Sequence, residues 1–222
     1  MEAIEIFQDY LRKALTMVHN DYYGLHHWNE PMLNAVMGDT NSENKAVIQE
    51  YLDRYGERVF CYELYHQIRT LMDEHSKTNP ETFKDLRLQS ELKKDYINEI
   101  VQAHYGVQAL DSEYIPDFLL HTPGNFDKQY LILEVKSNPK ISFSGMIDDL
   151  KKIQQFISRY RYERGIFLTI NTNPKRILNT LKSENSITWL KKIIQTPNQI
   201  HIMCKEKNDV ELLELKISDL TG

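Results

Sequence analysis

Cysteine, glycine and proline are all scarce in this chain, which has two, eight and seven of them in 222 residues. Two cysteines as far apart as Cys61 and Cys204 make no disulfide framework. They suit a reducing compartment, as buried apolar fillers. Few glycines and prolines, thinly spread and with no repeat at a fixed period, exclude flexible linkers, low-complexity disorder and solenoids. No apolar run approaches the roughly 18 residues of a membrane span. Glu2 and Glu5 stand where a signal peptide would need basic residues. A soluble, cytoplasmic chain is expected. The sequence also lacks a phosphate-cradling GxxxxGK(S/T) loop, a GxGxxG turn, paired CxxC motifs and HExxH. ATP hydrolysis, dinucleotide binding and zinc chemistry are therefore unsupported. His26 and His27, beside Trp28, are adjacent residues that face one another on no regular element, and no acid or cysteine lies at ligand spacing.

Positive charge is short as well. The chain carries 27 basic against 32 acidic residues, a net charge of −5, where a nucleic-acid binder usually shows a basic surface. Its distribution is uneven. Between Lys136 and Arg164, Lys136, Lys140, Lys151, Lys152, Arg159, Arg161 and Arg164 oppose only Asp148, Asp149 and Glu163, a local surplus of +4. An acidic protein with one basic segment can still hold a phosphate backbone there.

The apolar pattern divides the chain. Ile4, Phe7, Leu11, Leu15 and Val18 recur at helical spacing and predict a helix over 3–19. Pro31 opens a short helix to Met37. A second long helix is expected from Glu43 to Tyr55, ended by Gly56, and a third from Glu57 to His75. Residues 83–92 alternate as a strand and 93–104 read as a helix. The apolar runs 114–121 and 129–137 flank HTPGNFDK, whose turn formers predict a β-hairpin. A helix from Ser144 to Arg161, a strand at 166–170, helices from Pro174 to Gln195 and two short strands at 199–204 and 210–216 complete the order. The fold class is α/β (α+β), with a mixed central sheet flanked by helices. An N-terminal helical extension over 1–56 and a main domain over 57–222 are expected.

The hairpin carries the chemistry. Side chains two apart on a strand share a face, so Glu134 and Lys136 point one way and Leu133 and Val135 the other. A loop centred near residue 125 brings Asp117 opposite or next to Glu134. Two carboxylates that close, on an otherwise apolar hairpin, repel unless a cation sits between them. Mg²⁺ or Mn²⁺ is the natural occupant.

Pro116-Asp117, then Glu134-Val135-Lys136 after sixteen intervening residues, resembles the PD-(D/E)xK nuclease superfamily, over about residues 57–171. The resemblance implies a restriction-endonuclease-like core and metal-dependent phosphodiester hydrolysis of nucleic acid, DNA foremost. It assigns catalysis to Asp117, Glu134, Lys136 and an acid from the preceding helix. The metal ligands would be Asp117, Glu134, the Val135 backbone carbonyl and that helix acid. On a wheel of about 100° per residue with Phe60 at zero, Leu64, Ile68 and Leu71 form the core stripe and Glu63 falls near −60°. Glu63 is thus the expected helix acid, with Gln67 behind it. On the helix after the motif, Leu150, Ile153, Ile157 and Tyr160 form the core stripe. Gln154 lies at its edge, and Lys151 and Lys152 turn outward. Lys151, Lys152 and Gln154 are the candidates for nucleic-acid contact, and the sequence leaves open whether Lys152 or Gln154 reaches the site.

A second function class is a catalytically silent nucleic-acid-binding or scaffolding module on the same fold, against which the intact Asp117, Glu134 and Lys136 argue. A homodimer or protein partner could dock on the N-terminal helices, and would leave an apolar patch along residues 4–18.

Overall fold

The computed structural model describes residues 2–24, 38, 42–92 and 99–222, without the side chains of 42–54. His26, His27, Trp28, the short helix expected after Pro31 and residues 93–98 lie outside it. In chain order the elements are α1 (Ala3–Met17), α2 (Ser42–Thr78), β1 (Arg87–Ser90), α3 (Glu99–Tyr105), β2 (Phe118–His121) and β3 (Gln129–Ser137). They continue with α4 (Phe143–Tyr160), β4 (Arg164–Ile170), α5 (Pro174–Leu181), α6 (Glu184–Ile193), β5 (Ile200–Lys205), β6 (Leu213–Lys216) and α7 (Ser218–Thr221). No helix among the described residues is long and apolar enough to cross a membrane.

The strands form one six-stranded mixed sheet in the order β1-β2-β3-β4-β5-β6. Its centre, β3-β4-β5, is parallel, and β1, β2 and β6 are antiparallel additions. Because β3, β4 and β5 are covered on both faces, they read as nearly unbroken apolar runs. Alternation along β3 sorts the two cores. Leu131, Leu133 and Val135 join Phe7, Leu11, Phe60, Leu64 and Ile68 of α1 and α2, whereas Ile132 joins Leu150, Ile153 and Phe156 of α4. The α/β class expected from the sequence is thus seen as three layers, with α1 and α2 on one face and α4, α5 and α6 on the other.

The N-terminal part of the chain differs from expectation. Gly56 does not end a helix, since α2 runs unbroken through it for 37 residues. A glycine inside a helix costs about 1 kcal/mol, which the burial of Phe60, Leu64, Ile68 and Met72 in the next four turns outweighs. A domain boundary at residue 56 would therefore cut a continuous helix. Nor is α1 an appendage. Ile4, Phe7, Leu11, Leu15 and Val18 are all buried against the sheet. Arg12 pairs with Glu214 of β6 and Arg164 of β4 with Glu5. The apolar face that a docking partner was expected to use is occupied by the chain's own core.

Strand β2 starts four residues later than the alternation suggests, because Pro116 has no N–H to give a ladder and restricts Ile115 before it. Gly165, just before the strand expected at 166–170, lies inside β4. A Cβ there would stand 2.1 Å from the Ile153 Cγ2 of α4, so glycine lets this helix press onto the sheet.

Candidate active site

The register of the hairpin decides the site. Phe118 pairs with Leu133, so the next step of the ladder sets Asp117 beside Glu134. The Val135 N–H donates to Asp117 Oδ2 at 2.6 Å. A strand residue's N–H and C=O point to the same side, so the Val135 carbonyl also faces the Asp117 edge. β2 starts at Phe118, so Asp117 meets β3 through its side chain.

Glu134 is 2% exposed, on the α4 face of the sheet. Its Oε2 accepts from Lys152 Nζ at 2.7 Å, while its Oε1 is buried without a hydrogen-bond partner among the described residues. Lys152 also stands 3.5 Å from Asp149 Oδ1. Lys136, two residues along from Glu134, lies 3.4 Å from Asp149 Oδ2 and 4.0 Å from Glu57 Oε1. Glu57 comes round the end of β3 from α2, where its Oε2 accepts from the Ser137 N–H at 2.5 Å.

Asp117, Glu134 and Lys136 are thus brought together, and Glu63 is not among them. Its carboxylate accepts from Gln67 one turn along α2. Six residues separate it from Glu57, about 9 Å of helix and roughly 240° of rotation. Glu57, and not Glu63, is the acid of α2 that reaches the cluster, at Lys136 and the Ser137 N–H. The wheel contained the signal, because Glu57 falls near 60° on it, inside the apolar stripe. The expected break at Gly56 had made it an exposed first residue of a helix. Asp149 was missed in the same way, lying near −100° from Leu150, between Phe156 and Tyr160 of the buried face of α4.

On α4 it is Lys152 that reaches the site, turning inward rather than outward. Gln154 serves the fold, its Oε1 accepting from the backbone N–H of Gln195 and Thr196 and from the Thr196 hydroxyl. Lys151 stays at the surface, 3.8 Å from Asp148. The basic segment is not one patch. Arg159 pairs with Asp111, Arg161 with Asp127 and Arg164 with Glu5, while Lys136 and Lys152 belong to the acids of the site.

Four carboxylates, Glu57, Asp117, Glu134 and Asp149, meet two ammonium groups, Lys136 and Lys152, so full ionisation leaves two negative charges uncompensated. Three of the acids titrate high, chiefly because they are buried. Burial pushes Glu57 up to about 7, with Lys136 and the Ser137 N–H opposing. Burial likewise pushes Asp117 up to about 6, against the Val135 N–H and Lys152. Burial, then the neighbouring Asp117 charge, holds Glu134 well above the ordinary carboxylate range. Burial works against the charged form of both lysines, but for Lys136 it is outweighed by Asp149, Glu57 and Asp117, and for Lys152 by Glu134 and Asp149, so both are raised.

The donors fit a hard divalent ion. No group of three His, Cys, Asp or Glu among the described residues forms a ready-made metal cage. Mg²⁺ needs none, since it keeps several waters and takes one or two carboxylates with substrate phosphate oxygens. Asp117, the unpartnered Glu134 Oε1 and the Val135 carbonyl are oxygen donors of the kind such an ion takes. No family model, curated protein or solved structure matches the chain.

Proposed function

We propose that this chain hydrolyses phosphodiester bonds in nucleic acid, DNA foremost, with Mg²⁺ or Mn²⁺ at the end of β3, on a restriction-endonuclease-like core of the PD-(D/E)xK type. The observation that carries the reading is the two-charge deficit of an acid cluster whose buried Glu134 keeps one oxygen unpartnered among the described residues. One divalent ion matches that deficit. Asp117, Glu134 and the Val135 carbonyl would hold it, and when bound it supplies polarisation of the phosphoryl oxygen and a water of lowered pKa.

The chain's own groups do the rest. Lys136, clamped between Asp149 and Glu57, keeps its ammonium charged and fixed beside the carboxylate pair. From there it orients the attacking water and offsets the negative charge that develops on the phosphate. Glu57 positions Lys136 and holds the Ser137 N–H, fixing the strand end. Lys152 neutralises Glu134 in the metal-free chain and is a second cation beside the phosphate position.

One observation favours a second reading. Lys152 on Glu134 at 2.7 Å makes the cluster partly self-neutralising, which suits a catalytically silent nucleic-acid-binding or scaffolding module. Cleavage of single- and double-stranded DNA and RNA with Mg²⁺ or Mn²⁺ separates the two. Metal-dependent cutting is expected, falling by about 100-fold or more in Asp117→Asn, Lys136→Met and Glu57→Gln and unchanged in Glu63→Gln. Binding without cutting on every substrate would establish the silent module.

A further inference from the structure

Two exposed tyrosines stand on α2, within five residues of Glu57. Tyr55 and Tyr62 are 60% and 53% exposed, two turns apart on one face of α2, with Arg58 between them. The three span about 60° of the helix wheel, facing away from the core stripe that holds Glu57. Arg58 ties this face to the site through Glu91. Arg58 forks onto Glu91 at 2.8 and 3.2 Å, and the Glu91 N–H donates to the Asp117 carbonyl at 3.2 Å. Glu91 makes both contacts from a left-handed backbone, φ 51°, which a non-glycine residue rarely adopts and which its partners must hold.

The second feature is cationic. Lys140, on the loop after β3, and Arg176, in the first turn of α5, meet where Arg176 Nη2 donates to the Lys140 carbonyl at 3.2 Å. Neither has an ion-pair partner among the described residues, whereas the other basic residues from Lys136 to Arg164 each have an acid partner. At this end of the sheet, Lys140 and Arg176 are thus left with uncompensated charge.

We propose that the site takes a single strand, with unpaired bases stacked on Tyr55 and Tyr62 and the backbone beyond the scissile phosphate held by Lys140 and Arg176. The inference rests on the reading of the β3 site as one that takes nucleic acid. Lone exposed aromatics are ordinary, but two in register astride an arginine offer the stacking and cation–π surface that sequence-tolerant single-strand binders use. Their rise along the helix is about 10 Å, which matches three stacking steps of about 3.4 Å, room for two bases between the rings. A duplex keeps its base faces buried in its own stack and gives these rings nothing to stack on. Lys140 and Arg176 read phosphate charge in either form.

Anisotropy of labelled 12-nucleotide single strands, DNA and RNA, and of the matched duplexes tests this on the full chain in Ca²⁺. The single strand is expected to bind at least about tenfold tighter than duplex. Tyr55→Ala/Tyr62→Ala should weaken single-strand binding by about tenfold or more and leave duplex binding within twofold, while Tyr62→Trp retains it. Lys140→Ala/Arg176→Ala should weaken both and flatten the salt dependence by about 1.5 in slope. Equal binding of duplex, or indifference to the tyrosines, would overturn the proposal. Parallel Mg²⁺ cleavage keeps the two claims apart. Cutting that ignores the tyrosines sinks the single-strand assignment alone, and tyrosine-dependent binding without cutting sinks only the nuclease reading.

Discussion

Replacing Glu57 by glutamine should stabilise the metal-free chain above neutral pH while removing an acid that the activity needs. Burial raises this carboxyl from an ordinary 4.5 to about 7. The folded chain therefore binds a proton more tightly than the unfolded one, and stability falls as pH rises from about 4.5 through 7. At about 1.36 kcal/mol per unit, the shift corresponds to roughly 3 kcal/mol at pH 8 as an upper bound. Glutamine keeps an acceptor for the Ser137 N–H, 2.5 Å from Glu57 Oε2, and forgoes a 4.0 Å contact with Lys136. Denaturant unfolding in EDTA at pH 5 and pH 8 reads the effect. Wild type and Glu57→Gln should differ by no more than about 1 kcal/mol at pH 5, where the carboxyl is protonated in the folded chain and only the unfolded chain has begun to ionise. The variant should then gain about 1–3 kcal/mol at pH 8, or about 2–4 °C of Tm per kcal/mol in a chain of this size. A variant that is less stable at pH 8, or whose difference does not change with pH, would refute an uncompensated buried charge at this position.

Removing Lys152 tests the opposite sign. Lys152→Met should destabilise the metal-free chain by about 3 kcal/mol at pH 8, because it strands a buried carboxylate, and Glu134→Gln/Lys152→Met should recover most of that in a double-mutant cycle by urea unfolding. Gly165→Ala should cost about 1–3 kcal/mol through overpacking, because its Cβ would meet Ile153 at 2.1 Å; a thermal melt reads it. Gln154→Ala should cost about 1–3 kcal/mol by leaving two backbone N–H groups unpaired, with oligonucleotide binding unchanged in anisotropy.

What the sequence disclosed and what it withheld follow from the range of the interactions. Strand β3 was readable because it is apolar and bounded by turn formers, and the register of Asp117 followed from the length of one loop. The pairing of Glu134 with Lys136 on one face needed only the two-residue repeat of a strand. Glu57 and Asp149 were harder, because their role depends on three elements meeting at the end of β3. A local rule, glycine as a helix breaker, misplaced the start of the buried stripe and so hid Glu57. Lys152 was misread for another reason. Its backbone position faces outward, but a four-carbon side chain can swing to a buried carboxylate, and wheel angles describe only where a side chain begins. The surplus of positive charge from Lys136 to Arg164 was real in one dimension and mostly vanished in three, because the partners Glu5, Asp111 and Asp127 lie far away in sequence.

Titration of the wild-type chain and Asp117→Asn with Mn²⁺ at pH 6.5, by calorimetry in buffers of different ionisation enthalpy, tests the two-charge deficit most directly. One ion per chain, bound with net release of protons and lost in Asp117→Asn, is the predicted result. No bound ion, or binding that neither releases protons nor depends on Asp117, would contradict it.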